Sequence, residues 1–178
     1  MHISTIMAML RTRIDLDQSL LYISLTIAAI FAAGLVRKHI FFLTVVQSDS
    51  MYPTLRSKGW GVTLRIHDAM EIKRGDILVF YSAELKDMLV KRVIGFPHDH
   101  IICERDGAVY VNGKSLEEPY REPTEGKRSE YRVPAGKYFL MGDNRAHSYD
   151  SRSFLDPFIS EQAIQGRIIF SLVPFRKI

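Results

Sequence analysis

The stretch Asp87 to Phe96, DMLVKRVIGF, decides how the rest of the chain is read. With side chains alternating at a period of two, Leu89, Lys91 and Val93 share one face of a strand and Val90, Arg92 and Ile94 the other. A lysine between two apolar neighbours has two outcomes. Its amine either snorkels to water from a strand edge, or is desolvated, which disfavours the ammonium form and lowers the pKa toward that of a usable neutral base.

Text of the same kind surrounds this stretch: GWGVTLRI (59–66), RGDILVFY (74–81), HIICERDGAVYVNGKSL (100–116), KYFLMGDN (137–144) and QGRIIFSLVPF (165–175). These short runs are rich in Val, Ile, Phe and Tyr and are broken by Gly, Pro and charged turns, as strands are. Asn112-Gly113 reads as a hairpin turn, since both residues tolerate positive φ. The expectation is a mostly β domain of about 130 residues. Within it, LEEPYREPTEGKRSEYR (116–132) is too polar for a core and reads as a surface excursion. DPFISEQAIQGR (156–167) offers one helical turn, with Ser160 as its cap.

Before this domain, Ser19 to Val36 (SLLYISLTIAAIFAAGLV) is an uncharged run whose length as a helix approaches the roughly 30 Å hydrocarbon thickness. A cleaved secretory signal is the competing reading, favoured by the small residues near Ala33. The length of the run, and the apolar IFFLTVV (40–46) beyond Arg37 and Lys38, favour a retained anchor. Arg11 and Arg13 at one end nearly balance Arg37 and Lys38 at the other, so charge does not orient it.

The 178 residues are 47% hydrophobic, enough for a core. A net charge of +4 is spread among interleaved acids and bases, without the basic block that phosphate binding requires, which argues against nucleic acid as a partner. The single cysteine, Cys103, permits no intrachain disulfide and reads as a strand-core thiol.

Three clusters hold groups capable of chemistry: SDSMYPTL (48–55), VKRVIGFPHD (90–99) and GDNRAHSYDSR (142–152). A serine hydroxyl is a poor nucleophile until a neighbouring base accepts its proton. No serine is followed by Lys three positions later, and there is no Gly-x-Ser-x-Gly elbow. A triad through His67, His98, His100 or His147 stays open, because the fold and not the spacing joins such partners. Lys91 is the stronger candidate base. His98 and His100, with Asp99 between them, lack a clear further metal ligand, and no metal or other cofactor is expected.

Taken together, the clusters resemble the type I signal peptidases, membrane-anchored serine proteases that use a Ser/Lys dyad. SDSMYPTL resembles the family's Ser-x-Ser-Met-x-Pro-Thr-Leu box, KRGDILVF (73–80) its Gly-Asp strand, VKRVIGFPHD its Lys-Arg box, and MGDNRAHSYDSR (141–152) its Gly-Asp-Asn-x-x-x-Ser-x-Asp-Ser-Arg box. All four stand in the family's order behind one N-terminal anchor. The resemblance implies a coiled, β-barrel-like catalytic domain over residues 37–178, a transmembrane anchor over 19–36 and a short cytoplasmic tail over 1–18. It makes Ser50 the nucleophile and Lys91 the general base, with the Ser50 N–H and the Ser48 hydroxyl as the oxyanion hole. Ser148 would bond and orient the Lys91 amine, Asp150 and Arg152 would pair to brace that loop, and Met51 and Pro53 would shape the site.

The implied protein is a single-pass, monomeric enzyme of the cell membrane with its catalytic domain on the extracytoplasmic face, of the compact kind found in Gram-positive bacteria. It would cut signal peptides of preproteins after small residues. Fourteen residue steps from Val36 to Ser50, about 46 Å fully extended, keep the nucleophile near the bilayer. The sequence departs from the family pattern in two places: His98 stands where glycine is usual, and Asp49, beside the nucleophile, falls at a variable family position, where strand alternation would turn it away. Ser48 falls where many members have glycine. An inactive β-binding module is the alternative from another class. A related self-cleaving repressor would carry a DNA-binding domain in place of the span.

Overall fold

The computed structural model describes residues 3–122, 124–172 and 175–178, with the backbone alone for 3–16, 69 and 176. The chain divides between Ile40 and Phe41 into two units. The first is one helix, α1, Ile3–His39. Its segment Asp17–His39 is long and apolar enough to cross a membrane, and Leu21, Ile23, Ile27, Ile30 and Phe31 are all exposed along it. Arg37, Lys38 and His39 in the last turn suit the negative end of the helix dipole. The helix also runs back through most of the expected tail, whose Met1 and His2 lie outside the described residues. IFFLTVV, by contrast, does not prolong the span, because Phe41–Val45 is a strand.

The second unit is built from antiparallel strands. These are β1 (Phe41–Val45), β2 (Trp60–Arg65), β3 (Ile77–Ser82), β4 (Asp87–Gly95), β5 (His100–Cys103), β6 (Val109–Val111), β7 (Lys114–Ser115), β8 (Ser129–Arg132), β9 (Lys137–Met141), β10 (Ile159–Ser160), β11 (Ile164–Leu172) and β12 (Phe175–Lys177). One sheet has the order β1-β2-β11-β3-β4-β9-β10 with β12 beside β11, and a smaller one the order β7-β6-β5-β8. Register shifts at Ile164/Gly166 and Ile168/Phe170 in β11, and at Val93/Gly95 in β4, bend and coil the large sheet. The mostly β expectation holds.

Three apolar clusters form the core, and β4 touches all of them. Leu89 and Val93 pack with Leu78, Phe80, Leu140 and Phe154. Ile94 lies with Ile101, Val109, Phe139 and Met141. Val90 covers the cluster of Met51, Leu55, Val79 and Ile168. The alternation along DMLVKRVIGF is thus used on both faces.

The β6–β7 hairpin turns at Asn112 (φ 52°) and Gly113 (φ 79°), with Val111 opposite Lys114, as the Asn-Gly pair demands. His98 has φ 70°, so this histidine does adopt the left-handed conformation that glycine would take. Asp99 braces the same turn, accepting from Phe96 N, Arg74 Nη2 and Asn112 Nδ2 at 2.7, 2.8 and 2.6 Å. His100 pairs with Glu130, so the HDH sequence is occupied by structural contacts. Cys103 is 4% exposed, and burial pushes its thiol up to about 11.

The described residues of 116–132 are all exposed or half-buried, although the segment includes β8 and the Glu118 side chain is 2% exposed as half of an ion pair. One expectation is corrected. Ser160 precedes one turn of 3-10 helix, Glu161–Ala163, but its side chain makes no capping bond.

Candidate active site

The nucleophile candidate lies in a tight turn after β1. Val46 N donates to Gly59 O and Lys58 N to Val46 O, closing the loop, while Leu55 N donates to Met51 O inside it. Met51 and Leu55, 0% and 1% exposed, anchor the turn in the core. Pro53 follows a cis peptide bond. The apolar residues of SDSMYPTL therefore fix the path of the backbone, and Ser50 is held at 6% exposure beside them. This turn, and not strand alternation, directs Asp49 outward: its carboxylate accepts from Ser57 N at 3.0 Å.

Lys91 reaches this turn from β4. Its Nζ lies 2.7 Å from Ser50 Oγ, and the residue is 4% exposed. Burial lowers its pKa from 10.5 to about 8; Asp150 and Asp143 oppose that shift and Arg152 assists it. The amine is not snorkelling. Ser48 Oγ, on an exposed residue, donates to Ser50 Oγ at 3.2 Å.

The loop from Gly142 to Arg152 closes over the pair. Asn144 N donates to Ser50 O and Asn144 Nδ2 to Asp49 O. Asp150, fully buried, accepts from Gly142 N at 2.9 Å and from Arg152 Nε and Nη2 at 2.9 Å each. Burial alone would raise the Asp150 pKa, but the Arg152 guanidinium and the Gly142 N–H hold it below the ordinary carboxylate range. The expected Asp150–Arg152 brace is present. The expected Ser148–Lys91 hydrogen bond is not: Ser148 Oγ is buried with no partner in good hydrogen-bond geometry, and the group it influences is Asp150, whose carboxyl it helps to hold down.

Packing explains where Ser148 sits. A Cβ on Gly142 would lie 2.1 Å from Ser148 Oγ and 2.5 Å from the Ser50 carbonyl oxygen. Position 142 must therefore be glycine for the loop to approach the nucleophile this closely.

Several supporting residues escaped the sequence reading. Arg92, facing away from Lys91, makes a bidentate pair with Asp143 at 2.7 and 2.5 Å and also donates to Gly75 O and Thr54 Oγ1. Its guanidinium carbon sits 3.8 Å from the centre of the Tyr120 ring. Arg145, fully buried, donates to Gly142 O and Gly107 O at 3.0 Å and pairs with Glu118, which also accepts from Tyr120 OH. Segment 118–122 is thereby strapped across the loop, and Glu122 N donates to Asp143 O. Alternation placed Arg92 on the face opposite Lys91, but nothing local to Glu118 or Tyr120 named their distant partners.

A buried amine of lowered pKa in contact with a serine hydroxyl is the working arrangement of a serine hydrolase. The sequence profile described as "Signal peptidase, peptidase S26" matches residues 19–173. The chain is 36% identical over 165 residues to signal peptidase I of Bacillus caldolyticus, covering 84% of this chain and 88% of that one. It is also 36% identical over 163 residues to signal peptidase I T of Bacillus subtilis, covering 85% and 83%. A crystal structure of a signal peptidase I from Enterococcus faecalis matches with a TM-score of 0.48 and 29% identity, over 55% of this chain and 96% of that one. The protein belongs to the S26 signal peptidase family of serine peptidases.

Proposed function

We propose that the protein is a membrane-anchored endopeptidase that cuts signal peptides from exported preproteins, with Ser50 as nucleophile and Lys91 as general base. The observation that carries this reading is the 2.7 Å contact between the Ser50 hydroxyl and an amine whose pKa is lowered to about 8. In its neutral form Lys91 takes the Ser50 proton as Oγ attacks the scissile carbonyl. The resulting ammonium then protonates the leaving amine, and the regenerated amine activates the water that releases the acyl group.

Charge develops on the carbonyl oxygen during attack. The Ser50 N–H donates to no group among the described residues, and the Ser48 hydroxyl needs only to rotate from Ser50 Oγ to join it. Loss of one such donor costs on the order of a hundredfold in rate. Ser148, Asp150 and Arg152 fix the surroundings of the amine, while Met51 and Pro53 set the path of the nucleophile's turn. The half-buried Phe42 and Val90 give the site an apolar flank suited to the end of a signal peptide with small residues before the cut.

Asp17–His39 would hold the protein in the bilayer as a single-pass monomer, with Phe41–Ile178 on the extracytoplasmic side, where signal peptides emerge. The test is cleavage of a preprotein by the purified full chain in detergent. Wild type releases the mature protein, and Ser50→Ala and Lys91→Ala each abolish release. Persistent cleavage by either variant overturns the dyad.

A further inference from the structure

Beside the dyad lies an open groove of about 870 Å³ lined by Asp49, Tyr52, Arg56, Ser57, Asn144 and His147. Two of these residues flank Ser50 in sequence, and a third, Asn144, is bonded to both Ser50 O and Asp49 O. The groove therefore adjoins the main chain of the turn that carries the nucleophile. Its lining differs from the apolar flank of Phe42 and Val90: it holds a guanidinium, a carboxylate, an imidazole, a phenol, an amide and a hydroxyl.

We propose that this groove receives the first two residues on the leaving side of the cut, the new start of the released chain, and favours acidic side chains there. The proposal rests on the signal peptidase reading. A signal peptide ends in apolar and small residues, which suit the apolar flank, so the polar groove is left for the start of the mature protein.

The sign of the preference follows from the charges. Arg56 is exposed, lies 5.9 Å over the Tyr52 ring, and has no carboxylate partner among the described residues. The ring restrains the guanidinium without neutralising it. Asp49 is the opposing charge; it is tied to Ser57 N and makes no ion pair with Arg56 among the described residues, so it is the guanidinium end of the groove that favours an acidic side chain. Asn144 and Ser57 add polar hydrogen-bonding groups beside Arg56. An exposed pair of this kind is weak, so the preference is modest, roughly threefold for acidic over basic residues.

Two peptides spanning a cleavage site test this, identical except for Glu or Lys at both of the first two positions after the cut. Each is assayed with the full-length protein in detergent, as wild type and as Arg56→Glu. Wild type is expected to show a kcat/KM ratio of roughly three in favour of Glu, which shrinks toward one at high salt, and Arg56→Glu to reverse it. A ratio that is the same in wild type and Arg56→Glu, with both peptides cut, overturns the groove assignment and leaves the peptidase reading intact. If wild type cuts neither peptide, both fall.

Discussion

Lys91 Nζ lies 2.7 Å from Ser50 Oγ across 41 residues of sequence, in a setting where 4% of the lysine is exposed. The contact joins a strand chosen for its two apolar faces to a turn anchored by Met51 and Leu55. The same burial that places the amine also sets its proton affinity.

Activity should therefore rise with pH through a midpoint near 8, because only neutral Lys91 accepts the serine proton. A kcat/KM profile measured on one peptide from pH 6 to pH 10 checks this. A midpoint near the ordinary lysine value of 10.5 would contradict the desolvation argument.

Stability should move in the opposite direction when the amine is removed. The folded pKa of about 8 lies below the unfolded 10.5, so the folded state carries the full cost of a buried ammonium below pH 8 and sheds it between 8 and 10.5. Lys91→Met should thus be inactive yet more stable at pH 7, by about 3 kcal/mol, with the gain vanishing by about pH 10.5. Thermal unfolding at pH 7 and pH 10 reads both.

Asp150 opposes the lowering of the Lys91 pKa, whereas Arg152 promotes it. In Asp150→Asn the larger of the two opposing carboxylate effects is gone while the guanidinium remains, so the midpoint of the pH profile should fall below about 8. Breaking this buried pair should also cost about 3–5 kcal/mol of stability, measured by urea unfolding.

Tyr120 stacks on Arg92, and Arg92 grips both Asp143 in the closing loop and Thr54 in the nucleophile's turn. Tyr120→Ala should lower stability by about 2–3 kcal/mol and reduce kcat about tenfold, with little change in KM. Tyr120→Phe keeps the ring and loses only the bond to Glu118, so it should stay within about 1 kcal/mol of wild type. Parallel kinetics and melting curves separate the two.

The parts of this fold governed by local rules were legible in the sequence: alternation in DMLVKRVIGF, the Asn112-Gly113 turn, the apolar run of the helix. Ser50 and Lys91 became a pair only through the resemblance of four motifs, since alternation marks the lysine but names no partner. The contacts left unread are those made at a distance by charged residues. Glu118 and Arg145 each look like surface residues, and each is buried against the other, with backbone carbonyls and the Tyr120 hydroxyl completing their bonds. Ser148 shows the reverse case: the motif implied a bond to Lys91, whereas the packing allowed by Gly142 leaves its hydroxyl with no partner in good hydrogen-bond geometry.

The burial of Cys103 has a use in chemical labelling. It is the chain's one cysteine, and its thiol is pushed up to about 11, so thiol reagents at neutral pH meet an almost silent background. A Ser50→Cys variant would carry one addressable sulfur beside Lys91. The rate of its alkylation against pH would then report the protonation of the dyad directly, with no substrate present.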